Sequence, residues 1–362
     1  MSRYEIDTSI ERRTVEGFAF ALGVYPMEPM HPKQGYIVEF ESSDADVGSP
    51  SDVSTLGATG EWEEWPDRFL FDICITHTRL GSLCKLLFRL LPGRLYPILD
   101  ILGRDAYREI DPYIAYDAVG LDRFLETMTV YGEWLYEDGL VGFGAMSLDP
   151  FLYVFIDEHK VVTVRAELEL KGRIESVLRA FELQPIDEIR TADAADHEHR
   201  SILNIPKYDD TLLSIDEIVE DLRDLWRLQL NIDPTVNVDD QGADLGVTGW
   251  YCVGRAIDPH NPDSRKYAEI LVTGDCLDTV EDLVDEALRA HMTEPTAEKK
   301  NAGNKDGAGS GGNAGTAGMV DAVTCERVTP ERFEELVKTS GGVTDGKINA
   351  NRVHSFRWIS GV

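Results

Sequence analysis

Val141-Gly-Phe-Gly-Ala-Met-Ser-Leu-Asp-Pro-Phe-Leu-Tyr-Val-Phe-Ile-Asp-Glu-His-Lys-Val-Val-Thr-Val-Arg-Ala166 decides the fold class. Three runs rich in β-branched and aromatic residues, 141–148, 151–157 and 160–166, are separated by Asp149-Pro150 and Glu158-His159, so they read as consecutive strands. Ile174, Val177, Leu178 and Phe181 then recur at helical spacing. Strands joined by short turns pair antiparallel, and a helix with one apolar stripe covers one face of such a sheet.

The same order recurs on either side. Gly17 to Pro26, Gly142 to Pro150 and Gly249 to Pro259 are each a Gly-aromatic run closed by a proline turn, followed by further strands and an amphipathic helix. The three stretches are candidate repeats of a β-β-(β)-α unit. The expectation is an α+β fold of mainly antiparallel sheets, with amphipathic helices packed on one face. Strands are expected at 17–25, 35–41, 69–77, 247–257, 267–273 and 356–359. Helices are expected at 80–91, along the stripe Leu121, Phe124, Leu125, Met128, Tyr131 and Leu135, and along Val280, Leu283, Val284, Ala287 and Leu288. The clearest helix is 214–228, where Ser214 and Glu217 form a capping box ahead of Ile215, Ile218, Val219, Leu222, Leu225 and Trp226. Thr329 and Pro330 read as an N-cap with proline at N1.

The chain has 362 residues, enough for two or three domains. The stretch 293–318 holds seven glycines and no large apolar side chain, and reads as a flexible linker. The stretch 41–67 carries eight acids and no Lys or Arg, and reads as an acidic loop. The expected division is an N-terminal α+β domain at 1–110, a central α+β region at 111–292 of two related units, the linker, and a small C-terminal segment at 319–362.

Asp plus Glu number 66 against 35 Lys plus Arg, a formal charge of −31. Binding to nucleic acid in general requires a basic footprint, so this class is excluded. The excess acid fits either adaptation to high salt or solubility through self-repulsion. Five cysteines at irregular spacing, with no Cys-x-x-Cys, do not read as a disulfide framework. The charged N-terminus has no apolar core of a signal peptide, and the apolar run 80–102 is broken by Lys85, Arg89, Pro92, Arg94, Pro97 and Asp100, which makes it a poor membrane span. A cytoplasmic protein without a transmembrane segment is expected. The segment 79–108 is the one basic and strongly apolar patch. It reads as a core element or as an interface helix pair for a protein partner or a second copy.

Three clusters carry candidate chemistry. His197-Glu198-His199 places two imidazoles on one side of an extended segment, where both reach one divalent metal. Asp196, or His159 from the distant Asp157-Glu158-His159, is the candidate to complete the set; otherwise the sequence leads to no cofactor. Asp72, Cys74, His77 and Cys84 lie close together in the chain, but a Cys–His nucleophile also needs an orienting group and an oxyanion hole, so buried structural cysteines are expected. Gly341 to Lys347 has the spacing of a phosphate loop in the wrong context, with a helix before it and Ile348 after the lysine. No catalytic motif survives its context, so the leading expectation is an acidic binding or regulatory protein. The alternative is a metal-dependent hydrolase using His197, His199 and a carboxylate.

Overall fold

The computed structural model describes residues 4–42, 67–204, 212–258, 261–293, 319–341 and 349–359. Nearly all of the expected acidic loop and linker, and most of Gly341 to Lys347, lie outside these residues. Two compact units are formed: Met1–Leu102 with Asp111–Asn231, and Gly103–Ile110 with Ile232–Val362. Sheets are mainly antiparallel, and the fold is α+β. Among the described residues no helix is long and apolar enough to cross a membrane.

In the first unit the strands are β1 (Thr14–Val15), β2 (Phe18–Ala19), β3 (Val24–Pro26), β4 (Gly35–Glu41), β5 (Arg68–Cys74), β6 (Arg94–Leu102), β7 (Ile110–Ala115), β8 (Val119–Gly120), β9 (Val141–Leu148), β10 (Phe151–Ile156), β11 (Val162–Glu167), β12 (His197–His199) and β13 (Leu228–Leu230). The helices are α1 (His77–Phe88), α2 (Leu121–Glu137), α3 (Lys171–Ala180) and α4 (Ile215–Trp226). The main sheet runs β13-β7-β6-β9-β10-β11-β5-β4, with β8 beside β6. Strands on both sides of residue 110 therefore belong to one sheet.

Alternation along each strand sorts the side chains. Val141, Phe143 and Ala145 of β9, Leu152, Val154 and Ile156 of β10, and Val162, Val164 and Ala166 of β11 all enter one core. Leu83 and Leu87 of α1, Phe124 and Trp134 of α2, Ile174 and Leu178 of α3, and Leu222 and Trp226 of α4 fill the same core. All four helices thus lie on one face. The other face carries a smaller cluster of Ile98, Met146 and Phe151 with Tyr96, Tyr153 and Phe155.

The run 80–102 is where the sequence pattern misleads. It is helical only as far as Phe88; past Pro92 and Gly93 it becomes β6, with Leu95, Leu99 and Ile101 fully buried. A strand in the middle of a sheet loses the alternation that marks a half-exposed one, and Pro97 disguises it further. The expected strand 17–25 is two short strands, β2 and β3, with a turn between them. The α4 capping box forms as read: Ser214 Oγ accepts from Glu217 N–H, and the Glu217 carboxylate accepts from Ser214 N–H at 2.8 Å.

The second unit is a four-stranded sheet in the order β16 (Met319–Val328), β14 (Thr248–Asp258), β15 (Asn261–Gly274), β17 (Arg352–Trp358). Val280, Val284 and Leu288 of α5 (Leu277–Thr293) are buried on one face, and Phe333 and Val337 of α6 (Pro330–Thr339) pack with Leu271 on the other. Thr329 caps α6, with Pro330 at its start.

The short segment Gly103–Ile110 is held in this unit by the Arg104–Glu326 pair at 3.1 Å, by Ala106 N–H to the Arg327 carbonyl at 3.0 Å, and by a buried ion pair. Arg327 Nε donates to Asp105 at 2.9 Å, and Arg327 Nη1 donates to Asn237 Oδ1 at 3.1 Å and to the Val238 carbonyl at 2.6 Å. The Arg327 N–H also donates to Asp105 Oδ2, and the two side chains are 4% and 0% exposed. Removing one member of such a pair strands the other charge without water. Arg327→Ala is expected to cost about 3–5 kcal/mol in urea unfolding; a loss below about 1 kcal/mol would show that the pair does not hold the segment.

Asp100 of β6 stands on the face opposite the helices, and burial, with Glu158 adding repulsion, pushes its carboxyl up to about 7. Its unfolded value is near 3.9, so between about pH 4 and pH 7 the folded state holds a proton that the unfolded chain has lost. This contribution therefore favours folding least above pH 7. Asp100→Asn is expected to gain one to a few kcal/mol at about pH 8 and almost nothing at about pH 4. Equal effects at the two pH values in denaturant titrations would contradict this.

Candidate metal site

The site is built where three segments of the first unit meet. The first is the short ribbon of β12 paired with β3, in which His197 stands opposite Pro26, Glu198 opposite Tyr25 and His199 opposite Val24. Alternation along the ribbon places His197 and His199 on one side and Glu198 on the other, where it pairs with Arg200 through Nε at 2.8 Å. The second segment is the loop 138–140 after α2. The third is the turn between β10 and β11, closed by Lys160 N–H to the Asp157 carbonyl and by Val161 N–H to Asp157 Oδ1 at 2.7 Å.

Close backbone contacts lock the ribbon to the loop. Gly23 N–H donates to the Glu137 carbonyl at 2.8 Å, Arg200 N–H to the Gly23 carbonyl at 2.8 Å, and Gly139 N–H to the Arg200 carbonyl at 3.1 Å. A Cβ on Gly23 would stand 2.1 Å from Gly139 N, and one on Gly139 would stand 2.0 Å from the Gly23 carbonyl oxygen. Both positions therefore need glycine. The fully buried Asp138 carboxylate accepts from Leu140 N–H at 2.9 Å, Ile202 N–H at 3.0 Å and Ser201 Oγ at 3.0 Å. Arg12 ties the segment before β3 to the end of α2: its guanidinium meets both Glu137 oxygens, at 3.0 and 2.5 Å, and donates to the Phe20 carbonyl at 2.8 Å.

This framework brings three imidazoles together. His159 Nε2 lies 3.0 Å from His197 Nε2, which lies 3.1 Å from His199 Nε2. Each ring is oriented from its far side. His197 Nδ1–H donates to the Ala195 carbonyl at 2.8 Å, His199 Nδ1–H donates to the Gly139 carbonyl at 2.7 Å, and His159 Nδ1 pairs with Glu158 Oε1 at 3.3 Å. With the proton on Nδ1, a neutral imidazole presents its Nε2 lone pair. Three lone pairs then face one small volume, and that arrangement repels unless a proton or a cation sits among them.

Zinc–nitrogen bonds of about 2.0–2.1 Å place the nitrogens of a tetrahedral site roughly 3.3 Å apart, and ligands at right angles roughly 2.9 Å apart. The observed 3.0 and 3.1 Å fall between these values. Among the described residues, His159, His197 and His199 form the group of His, Cys, Asp and Glu whose ligand atoms converge closely enough to hold a metal ion. Asp196, the other candidate ligand, is exposed and stands outside this group; its carbonyl accepts from Met27 N–H at 2.8 Å.

Electrostatics around the triad favour a cation. Its hydrogen bond to His159 holds the Glu158 carboxyl down to about 2. Burial works against charge on His159, but Glu158 and Asp157 outweigh it and raise the imidazole above its usual value. Burial lowers His199. The buried Lys160 ammonium donates to the Val141 carbonyl at 2.6 Å, and burial lowers it to about 8.

The cysteine cluster is not assembled for nucleophilic chemistry. Cys74 and Cys84 are buried, and burial pushes the Cys74 thiol up to about 12. His77 opens α1 instead of extending β5; its Nε2–H donates to the Tyr136 carbonyl at 3.0 Å, and its Nδ1 accepts from Arg12 at 3.0 Å. Arg12, Glu137 and Asp138, which position the triad, carry no local sequence signal.

Comparison of the chain with protein-family models, with curated proteins and with solved structures gave no match in any of the three. The functional reading therefore rests on this geometry.

Gly139→Ala is expected to cost about 3 kcal/mol, since neither the Gly23 carbonyl nor the loop has room to yield. Because the Gly139 carbonyl orients His199, the same variant is expected to lose zinc binding in isothermal titration. Wild-type stability with undiminished zinc binding would show that the crossing does not position the triad.

Proposed function

We propose that the chain is a metal-dependent hydrolase whose centre is a divalent ion held by His159, His197 and His199. The observation that supports this is the convergence of three Nε2 atoms with every Nδ1 occupied by an acceptor, an arrangement typical of metal-bound histidine. A neutral three-nitrogen donor set suits zinc, cobalt, nickel or copper better than magnesium or calcium, which prefer oxygen. Three protein ligands leave at least one position for water. A zinc ion held by His159, His197 and His199 would supply a water acidic enough to serve as nucleophile at an acyl or phosphoryl centre. The three imidazoles are half-buried, which leaves part of each ring within reach of solvent.

A second reading keeps the metal and drops the catalysis. His159 belongs to a hairpin turn and His197 and His199 to a two-stranded ribbon. A metal ion joining them would act as a staple, and the chain would be a metal-responsive binding or regulatory protein.

Zinc added to metal-free protein is expected to raise the melting temperature. The shift should vanish in His199→Ala and persist in Glu198→Ala, whose carboxylate lies across the ribbon. Ligation requires neutral imidazoles, and His159 is raised above about 6.5, so affinity should start to fall while the pH is still above that value and keep falling as acid is added. Zinc-dependent hydrolysis of p-nitrophenyl acetate or a p-nitrophenyl phosphate ester, lost in His199→Ala, supports the hydrolase. Stoichiometric zinc without hydrolysis favours the staple, and no thermal shift in the wild type removes both readings.

A further inference from the structure

Outside the histidine site, the second unit holds a pair of cysteines that none of this chemistry uses. Cys252 of β14 and Cys325 of β16 are direct partners in the antiparallel register. Side chains of directly opposed residues leave the sheet on the same side. Both thiols are free, and after burial the neighbouring Cys325 side chain is the next cause that raises the Cys252 thiol. Cys252 is fully buried and Cys325 partly exposed.

Opposed residues in an antiparallel pair lie about 4.5 or 5.5 Å apart between Cα atoms. A disulfide spans roughly 4.4–6.8 Å, so either kind of pair is within range. Directly opposed Cβ atoms lie about 4.5–5.5 Å apart and a disulfide needs about 3.5–4.5 Å, so closure takes up to about 1 Å of approach; the register of β14 with β16 already shifts between Val253 and Gly254, next to Cys252. The remaining cysteines are placed differently. Cys74 and Cys84 are buried in the first unit, and Cys276 contacts Thr279 Oγ1 at 3.2 Å.

We propose that Cys252 and Cys325 form a thiol–disulfide exchange site that reacts with low-molecular-weight disulfides such as oxidised glutathione. The accessible Cys325 thiolate attacks one sulfur of the disulfide, forming a mixed disulfide and releasing one glutathione thiolate. Cys252 then attacks Cys325 Sγ, and the second glutathione leaves as thiolate. The two protons given up by the cysteines are taken up by the two released thiolates. Two protein thiols are oxidised to one disulfide while one glutathione disulfide is reduced to two thiols. Burial raises Cys252 well above the ordinary thiol value, so the second step is the slow one. The product is a covalent rung between β14 and β16 that closes the long excursion through β15 and α5, which restricts the unfolded chain and raises the melting temperature. This site does not depend on the histidine reading.

The test is incubation of the full chain with oxidised glutathione at mildly alkaline pH, followed by alkylation of free thiols, intact mass measurement and peptide mapping. The wild type is expected to lose two hydrogens, to yield a linked Cys252–Cys325 peptide pair, and to melt at a higher temperature until reductant is added. Cys252→Ser should stop at a glutathione adduct on Cys325, and Cys325→Ser should leave Cys252 unmodified. A wild type that stops at the Cys325 adduct, stays wholly reduced, or links a different pair of cysteines would overturn the proposal.

Discussion

Two glycines set back to back hold the candidate site together. Gly23 and Gly139 approach so closely that neither tolerates a side-chain carbon, and their backbone groups share a ladder with Arg200 and Glu137. This crossing brings the ribbon of β3 and β12 onto the loop after α2. It also delivers the Gly139 carbonyl to His199 Nδ1. The Asp138 carboxylate and the Arg12–Glu137 pair brace the same crossing from either side. Burying Asp138 and most of Glu137 is tolerable because each carboxylate has several donors, and the loss of Asp138 would leave buried N–H groups unmatched.

The main sheet supplies the rest of the geometry. Its helix-facing side is filled by Leu, Val, Ile and aromatic residues from every central strand, which fixes register, since a slip of one residue would turn this set outward. The turn from β10 to β11 is therefore held in place, and His159 with it. The histidines of the ribbon and the histidine of the turn are brought together by two independent devices, a packed sheet and a glycine crossing. Each ring is then aimed by a bond on its outer nitrogen.

Much of this was legible where the signal is local. Strand β4 falls at 35–41 as read, the Ser214–Glu217 capping box forms, and the three runs between Val141 and Ala166 become β9, β10 and β11. His197 and His199 could be placed on one side of an extended segment because alternation is a property of the backbone. His159 could be named as a distant donor only by its residue type. What stayed hidden depends on contacts distant in sequence. Nothing near Gly23 announces Gly139, nothing near Asp105 announces Arg327, and Arg12 gives no sign of Glu137. The strand β6 was obscured for a different reason: burial on both faces removes the polar half of the pattern, and Pro97 argues against a strand.

The proposed inner shell of the metal ion is three imidazoles and no protein carboxylate. X-ray absorption fine structure on the zinc-loaded chain reads that shell directly. One zinc per chain is expected, with three histidine nitrogens at about 2.0–2.1 Å, recognised by the outer-shell scattering of their imidazole rings, and one or two solvent oxygens. A shell of oxygens alone, or of sulfurs near 2.3 Å, would contradict it.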